Sequence, residues 1–426
     1  MVARFRLQTD RHLRPLHGHH RQMKREKAVF GFHKNVFSAG VASFFMDVSS
    51  EMIYPLIPLF LANVLGVNKS MIGLIEGIAE ATASLLKVFS GWFSDRINNR
   101  KWLMASGYGI SSLSRPLLAV AAGWIPILTS RFVDRLGKGI RTAPRDAVIA
   151  ESTETGRLGR AFSFHRAMDT LGAVVGPAIA LLILGHYDNN YRLVFWASLA
   201  PGLLATLVII FCIKGKKRGA TMIAVRPRLT LRHFDGKVRF FLLIATLFAL
   251  GNSSDAFLIL RAQQVGIATA QIPLVYLTFN LIYALAAIPA GMAADRFGRK
   301  RLILLGFLLF AGLYYGFGAL ETPGALWLLF ILYGLFMGLT EGTQKAFLTT
   351  IIAPEFKATA FGAYATFVGL ATFPASLIAG WLWDHVSPAA TFYYGAATAG
   401  LAALLFAALM IAMGPSPSGE QSSQVG

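Results

Sequence analysis

From Val36 almost to its C-terminus, the sequence returns repeatedly to apolar runs of about 18 residues or more, each able to cross a hydrocarbon core about 30 Å thick. No other feature constrains the fold as tightly. Backbone in lipid has no water to bond, so it must satisfy its own N–H and C=O groups, as helices do. Composition agrees: 55% of the 426 residues are hydrophobic and 14% charged, where a soluble chain carries about a quarter charged. The expectation is an all-α polytopic membrane protein. Twelve spans fit, roughly 36–64, 70–93, 102–122, 125–149, 160–184, 192–213, 240–263, 271–294, 301–320, 325–350, 359–383 and 389–413.

A formal net charge of +19 would also suit a nucleic-acid partner, so the placement of the basic residues decides. Most of the forty Lys and Arg fall in the two tails and the even-numbered connections, and hardly any in the opposite loops. That is the positive-inside pattern, with both termini in the cytoplasm and contact with anionic lipid. No DNA-reading motif accompanies the charge, so no nucleic-acid partner is expected. The single cysteine, Cys212, excludes an intrachain disulfide and a cysteine-built metal site.

Residues 1–34 are basic and lack an apolar core, so they are expected to form a disordered cytoplasmic tail rather than a secretory signal. Residues 414–426, GPSPSGEQSSQVG, are of similarly low complexity. In the first tail His12, His17, His19 and His20 stand close enough to collect a divalent metal. A flexible tail with scattered histidines is the plainer reading.

The basic segment 214–239, broken by Pro227, divides the chain into 35–213 and 240–413, six spans each. The halves repeat a phrase. GWFSDRINNRK begins at Gly91 after span two, and GMAADRFGRKR begins at Gly291 after span eight, 200 residues later. The same offset carries RAFSF at 160–164 onto AFGAY at 360–364. An internal duplication of this period means two similar six-helix bundles.

Twelve spans, a six-plus-six repeat and the paired G-x-x-x-D-R loops resemble the major facilitator superfamily over about residues 35–413. The resemblance implies secondary transport by alternating access, with Gly91, Asp95, Arg96, Gly291, Asp295 and Arg296 as cytoplasmic gate loops. It implies that Asp95 docks on the start of span eleven near Thr359, and Asp295 on the start of span five near Gly159. A carboxylate at a helix N-terminus gains about 0.3–1 kcal/mol.

Span four is the anomaly. Arg131, Asp134, Arg135, Lys138, Arg141, Arg145 and Asp146 crowd into RFVDRLGKGIRTAPRD. At 100° per residue all seven fall on an arc of about 140°, with Phe132, Val133, Leu136 and Ile140 opposite. A helix charged on one stripe is tolerated in a bilayer if the stripe faces a water-filled interior. Span four therefore lines a cavity, with Arg131, Arg135 and Lys138 at membrane depth. Arg135 and the glycines after it resemble the family's span-four arginine motif, associated with proton coupling; Arg131, one turn earlier, competes for that role. For Arg141, Arg145 and Asp146 a structural place at the helix end is the leading reading.

Bases in a membrane need acids. Span one offers Asp47 and Glu51 four residues apart, and span two Glu76 and Glu80 beside Lys87, which read equally well as structural ion pairs. Span five aligns His165, Asp169, Gly172 and Gly176 on one face, and its DTLGAVVGPAIA loosely resembles the family's span-five glycine–proline motif. Charges are rarer in the second half: Asp255, Arg261, Glu341 and Lys345. Desolvation favours the neutral form of a carboxyl group, which suits the carrying of protons at physiological pH. Asp47, Glu51 and Asp169 are the expected proton carriers, and Arg131, Arg135, Lys138, His165, Asp255 and Glu341 the expected substrate cavity. Asp255 follows Asn-Ser-Ser as Glu51 follows Ser-Ser, which makes it a candidate symmetry partner.

Hydrolytic and nucleotide-binding motifs are absent from the sequence, so neither an enzyme nor a cofactor is expected. The expected function is proton-coupled movement of a small solute, with a slight preference for anions or zwitterions, by a monomer in a bacterial inner membrane. Transport of iron, another metal or a metal chelate is one rival. A non-transporting sensor or scaffold on the same fold is another.

Overall fold

The computed structural model describes residues 29–96, 99–154, 157–215, 234–353 and 356–413, with the backbone alone for 87–96, Asp295, Glu341, Lys357 and Ala358. The described chain is nearly all helical. Its rods are α1 (Lys34–Val64), α2 (Lys69–Arg96), α3 (Arg100–Leu113, resumed as Arg115–Ala119), α4 (Trp124–Glu151), α5 (Leu158–His186) and α6 (Tyr191–Cys212). The second half gives α7 (Gly236–Gln264), α8 (Ile272–Phe297), α9 (Arg299–Ala319), α10 (Pro323–Ile351), α11 (Lys357–His385) and α12 (Pro388–Met413).

Nine of these rods are long and apolar enough to cross a membrane by length and composition. The three that are not, α2, α3 and α4, carry the buried ion pairs described below. Large apolar side chains such as Phe211, Ile288, Leu404 and Ile411 point outward, as lipid-facing residues do and as a water-soluble surface rarely allows.

Local chemistry shapes the rods that matter most. Pro55 and Pro58 remove backbone donors from α1, so beyond Ile53 it tightens to a 3₁₀ turn and then widens into a π-helical turn over Phe60–Val64. In α7 the run 252–255 interrupts the helix, leaving Asp255 at the start of Ala256–Gln264. Gly298, at φ +90°, lets α8 turn straight into α9.

The packing follows the repeat. In the first half α1 lies on α5 and α6, α4 on α2 and α3, and α3 on α6. In the second, α7 lies on α11 and α12, α10 on α8 and α9, and α9 on α12. Between the halves α2 packs along α11 and α5 along α8, each seam the counterpart of the other. Small residues set the α2–α11 seam: a Cβ on Gly73 would strike the backbone of Ser376, one on Gly77 that of Phe373, and one on Gly380 that of Lys69. In lipid, where apolar side chains gain little by meeting each other, such close backbone approach supplies the adhesion.

Two arginines, half-buried Arg192 and buried Arg261, stitch rod ends. Arg192 donates to the carbonyls of Ala119 and Ala121 at 2.6 and 2.7 Å, satisfying the end of α3. Arg261 donates to the carbonyls of Phe317 and Gly318 in the last turn of α9 and of Leu320 just beyond it. Arg261 is therefore a structural cap.

Candidate functional site

Helix α4 organises the site. Its stripe divides between two neighbours. Toward α2, Arg131 pairs with Glu76 and Arg135 with Glu80 at 3.0 Å, so two i,i+4 pairs lie ladder-fashion against each other. Toward α3, Asp134 accepts from Arg115 at 3.1 Å and Arg141 donates to Ser111 Oγ at 2.7 Å, its guanidinium lying over the Tyr108 ring. Arg115 also donates to Ser50 Oγ of α1 at 3.0 Å. Charges buried this deeply persist only when paired and bonded.

A cavity of about 200 Å³ opens beside this stripe. Arg131, Arg135, Lys138 and Arg141 form one wall; Asp47, Glu51 and Tyr54 of α1 form another, and Tyr276 of α8 closes the second half's side. Exposure rises from Glu76 to Glu80 on α2 and from Arg131 to Lys138 on α4, while Arg141, a turn further on, is buried again. The side chain of Glu76 is 2% exposed and that of Glu80 36%, while buried Arg131 and Arg135 give way to exposed Lys138.

Helix α5 presses the α1 carboxylates into place. A Cβ on Gly172 would meet Asp47 Cβ at 2.8 Å, and one on Gly176 would meet Glu51 Cβ at 3.1 Å. The glycines let the α1 backbone approach closely at Phe44 and Val48, with Asp47 and Glu51 beside that contact. One turn away, His165 Nδ1 stands 3.4 Å from Asp169 Oδ2, and His165 Nε2 is buried with no hydrogen-bond partner among the described residues. Asp169 is nonetheless among the charges that act on Asp47.

Glu51 and Asp255 are each held by a tyrosine. Tyr276 Oη donates to Glu51 Oε2 at 2.8 Å, across the boundary between the halves. Tyr333 Oη of α10 donates to Asp255 Oδ1 at 2.8 Å. Asp255 stands where a helix cap would, yet it makes no cap bond. A further link joins the halves where Ser254 Oγ donates to Glu76 at 3.4 Å. At the Lys69 end, the Asp384 carboxylate of α11 accepts from the backbone N–H of Lys69 and Ser70 and from Ser70 Oγ, at 3.1, 2.7 and 2.7 Å. It caps α2 from the opposite half.

Of the residues expected from the sequence, the cavity gathers Asp47, Glu51, Arg131, Arg135 and Lys138; His165, Asp169 and Asp255 lie outside its lining. Among the gate-loop residues, Gly91, Gly291 and Arg296 lie on the helical ends of α2 and α8. The side chains of Asp95, Arg96, Asp295 and Glu341, and the whole of His12, His17, His19 and His20, lie outside the described residues. No group of three or more potential metal ligands occurs among the described residues.

Sequence reasoning missed Arg115 and Tyr276. Arg115 was visible as a lone charge in an apolar span, followed by Pro116. Tyr276 stands 200 residues after Glu76 and was reachable through the repeat.

The sequence profile of the Major Facilitator Superfamily matches residues 39–261 and 240–425. The chain belongs to the major facilitator superfamily. It is 36% identical to the uncharacterized MFS-type transporter MJ1317 of Methanocaldococcus jannaschii, over 87% of this chain and 94% of that one. Its fold is that of the nucleoside transporter NupG (TM-score 0.76, 12% identity, 88% of this chain and 100% of that one). It is likewise that of a POT family transporter in complex with 5-aminolevulinic acid (TM-score 0.75, 12% identity, 91% and 98%). This is a multi-pass membrane transporter of the superfamily.

Proposed function

We propose that the protein is a proton-coupled secondary transporter that moves a small solute by alternating access, with a slight preference for anionic or zwitterionic substrates. The observation that carries this reading is the placement of Glu51 and Asp47. They face a wall of four cations across the cavity, and Glu51 bonds to the opposite half of the molecule. A carboxylate that gains or loses a proton there changes both the charge of the cavity and the grip between the halves. The cationic wall attracts an anionic group, and the α1 carboxylates offer a place for an amine. Likeness to a POT transporter that holds 5-aminolevulinic acid, a zwitterion, fits that preference.

On this reading all twelve rods span the membrane as two six-helix domains, 35–213 and 240–413, and the protein works as a monomer. The excess of Lys and Arg at the Arg96 and Glu151 ends makes that side, and both termini, cytoplasmic. The rise in exposure from Glu76 to Glu80 and from Arg131 to Lys138, with the α2–α11 seam shut at Lys69, then describes a cavity open to the cytoplasm. By the origin of relatives such as MJ1317, the membrane is a prokaryotic cytoplasmic one.

Proteoliposomes holding a pH dye test the reading. Small organic anions, zwitterions, cations and divalent metals are added in turn. The expected result is a proton flux elicited by one of the first two classes and lost in Asp47→Asn and Glu51→Gln. A flux unchanged in both variants would overturn the assignment. A response to metals alone would replace the substrate class.

A further inference from the structure

Tyr276 does more than line the cavity. Its ring packs on Tyr54 (centroids 5.4 Å apart) and edge-on to Phe279 (5.0 Å), which in turn meets Tyr333 at 5.7 Å. Tyr333 holds Asp255. A continuous file therefore runs from Glu51 in the first half, through Tyr276, Phe279 and Tyr333, to Asp255 in the second. Every link beyond Glu51 belongs to the second half. The file's junction with the first half consists of the Tyr54 ring contact and the Tyr276–Glu51 hydrogen bond.

That hydrogen bond depends on charge. A phenol donating to a carboxylate makes a bond roughly twice as strong as one to a neutral acceptor. When Glu51 takes a proton, the acceptor becomes neutral and the grip weakens. The surroundings of Glu51 isolate this step. Cations Arg131, Arg135 and Lys138 act on it from α4, Asp47 from its own helix and Asp255 from α7, while α5 presents uncharged Gly176. Among the described residues, the hydrogen bond to Glu51 comes from the opposite half.

We infer that Tyr276 is the positioning residue that converts the protonation of Glu51 into movement of the two halves, by gripping the first half more tightly while Glu51 is ionised. This rests on the proton-coupled reading above. The sign follows: at high pH the ionised carboxylate keeps the conformation described here, and at low pH protonation releases Tyr276 and favours the alternative.

The test needs no substrate. Spin labels are placed at exposed Glu154 and Thr350, just beyond α4 and near the end of α10, in a background where Cys212 is replaced by Ser. Their separation is followed from pH 5 to 8 in nanodiscs. The wild type is expected to shift its two populations by about tenfold, the difference between a charge-assisted and a neutral bond. Tyr276→Phe keeps the ring and loses the hydroxyl; it is expected to flatten the response to less than about twofold, as is Glu51→Gln. A 3-fluorotyrosine at 276, a stronger donor of nearly the same shape, is expected to move the midpoint to lower pH, which a merely structural role would not do. A full pH response in Tyr276→Phe, with the response lost in Glu51→Gln, would overturn the inference and leave the proton-coupled reading standing. No response in the wild type would overturn both.

Discussion

The two halves of the molecule follow one repeated blueprint and are furnished in opposite ways. In the first half stand Glu76, Glu80, Arg131, Asp134, Arg135 and Lys138; 200 residues later stand Tyr276, Asn280, Ile331, Gly334, Leu335 and Gly338. The helices keep their packing partners, α4 on α2 and α3 as α10 on α8 and α9, while charged side chains have been exchanged for uncharged ones. The duplication thus preserves the backbone arrangement and leaves the side chains free to specialise. One half carries buried ion pairs, and the other a file of aromatic rings.

On that division, breaking an ion pair in the first half costs far more than removing a hydroxyl in the second. Asp134→Asn leaves Arg115 buried without its counter-charge and is expected to destabilise the protein by about 3–5 kcal/mol in reversible unfolding from mixed micelles. Next comes the seat of the carboxylates. Gly176→Leu drives a side chain into Val48 and Glu51 and is expected to cost about 1–3 kcal/mol, with loss of the proton response because Glu51 is displaced. Asp384→Ala removes the cap that α11 places on α2, at about 1 kcal/mol. A cysteine at buried Ser376, on the α2–α11 seam, is expected to react about fivefold faster with a polar thiol reagent in that variant. The smallest effect is Tyr333→Phe, about 1 kcal/mol or less in the same unfolding assay, because Asp255 is only half-buried.

Much of this was legible in the sequence, and what was not has a physical reason. The stripe of α4 follows from helical period alone, and its acids on α1 and α2 follow from the need to neutralise buried bases. The glycines of α5 were visible as a face, but only the structure shows that Asp47 and Glu51 rest on them. Hydropathy alone does not mark α2, α3 and α4 as spans, since their charges lower their apolar content. The tyrosines stayed hidden because a hydroxyl in an apolar helix announces no partner, and Tyr276 and Glu51 are 225 residues apart in the chain. Asp255 looked like an equal of Glu51 from its serine-rich approach, yet it lies behind Tyr333, off the cavity lining.

That inequality offers the most direct test of the divided blueprint. Proton flux driven by substrate, or by a pH step where no substrate is yet known, is measured side by side for Glu51→Gln and Asp255→Asn at matched protein content. The account predicts flux abolished in Glu51→Gln and kept within about threefold of wild type in Asp255→Asn, a change near 0.65 kcal/mol. Equal loss in both, or loss in Asp255→Asn alone, would contradict it.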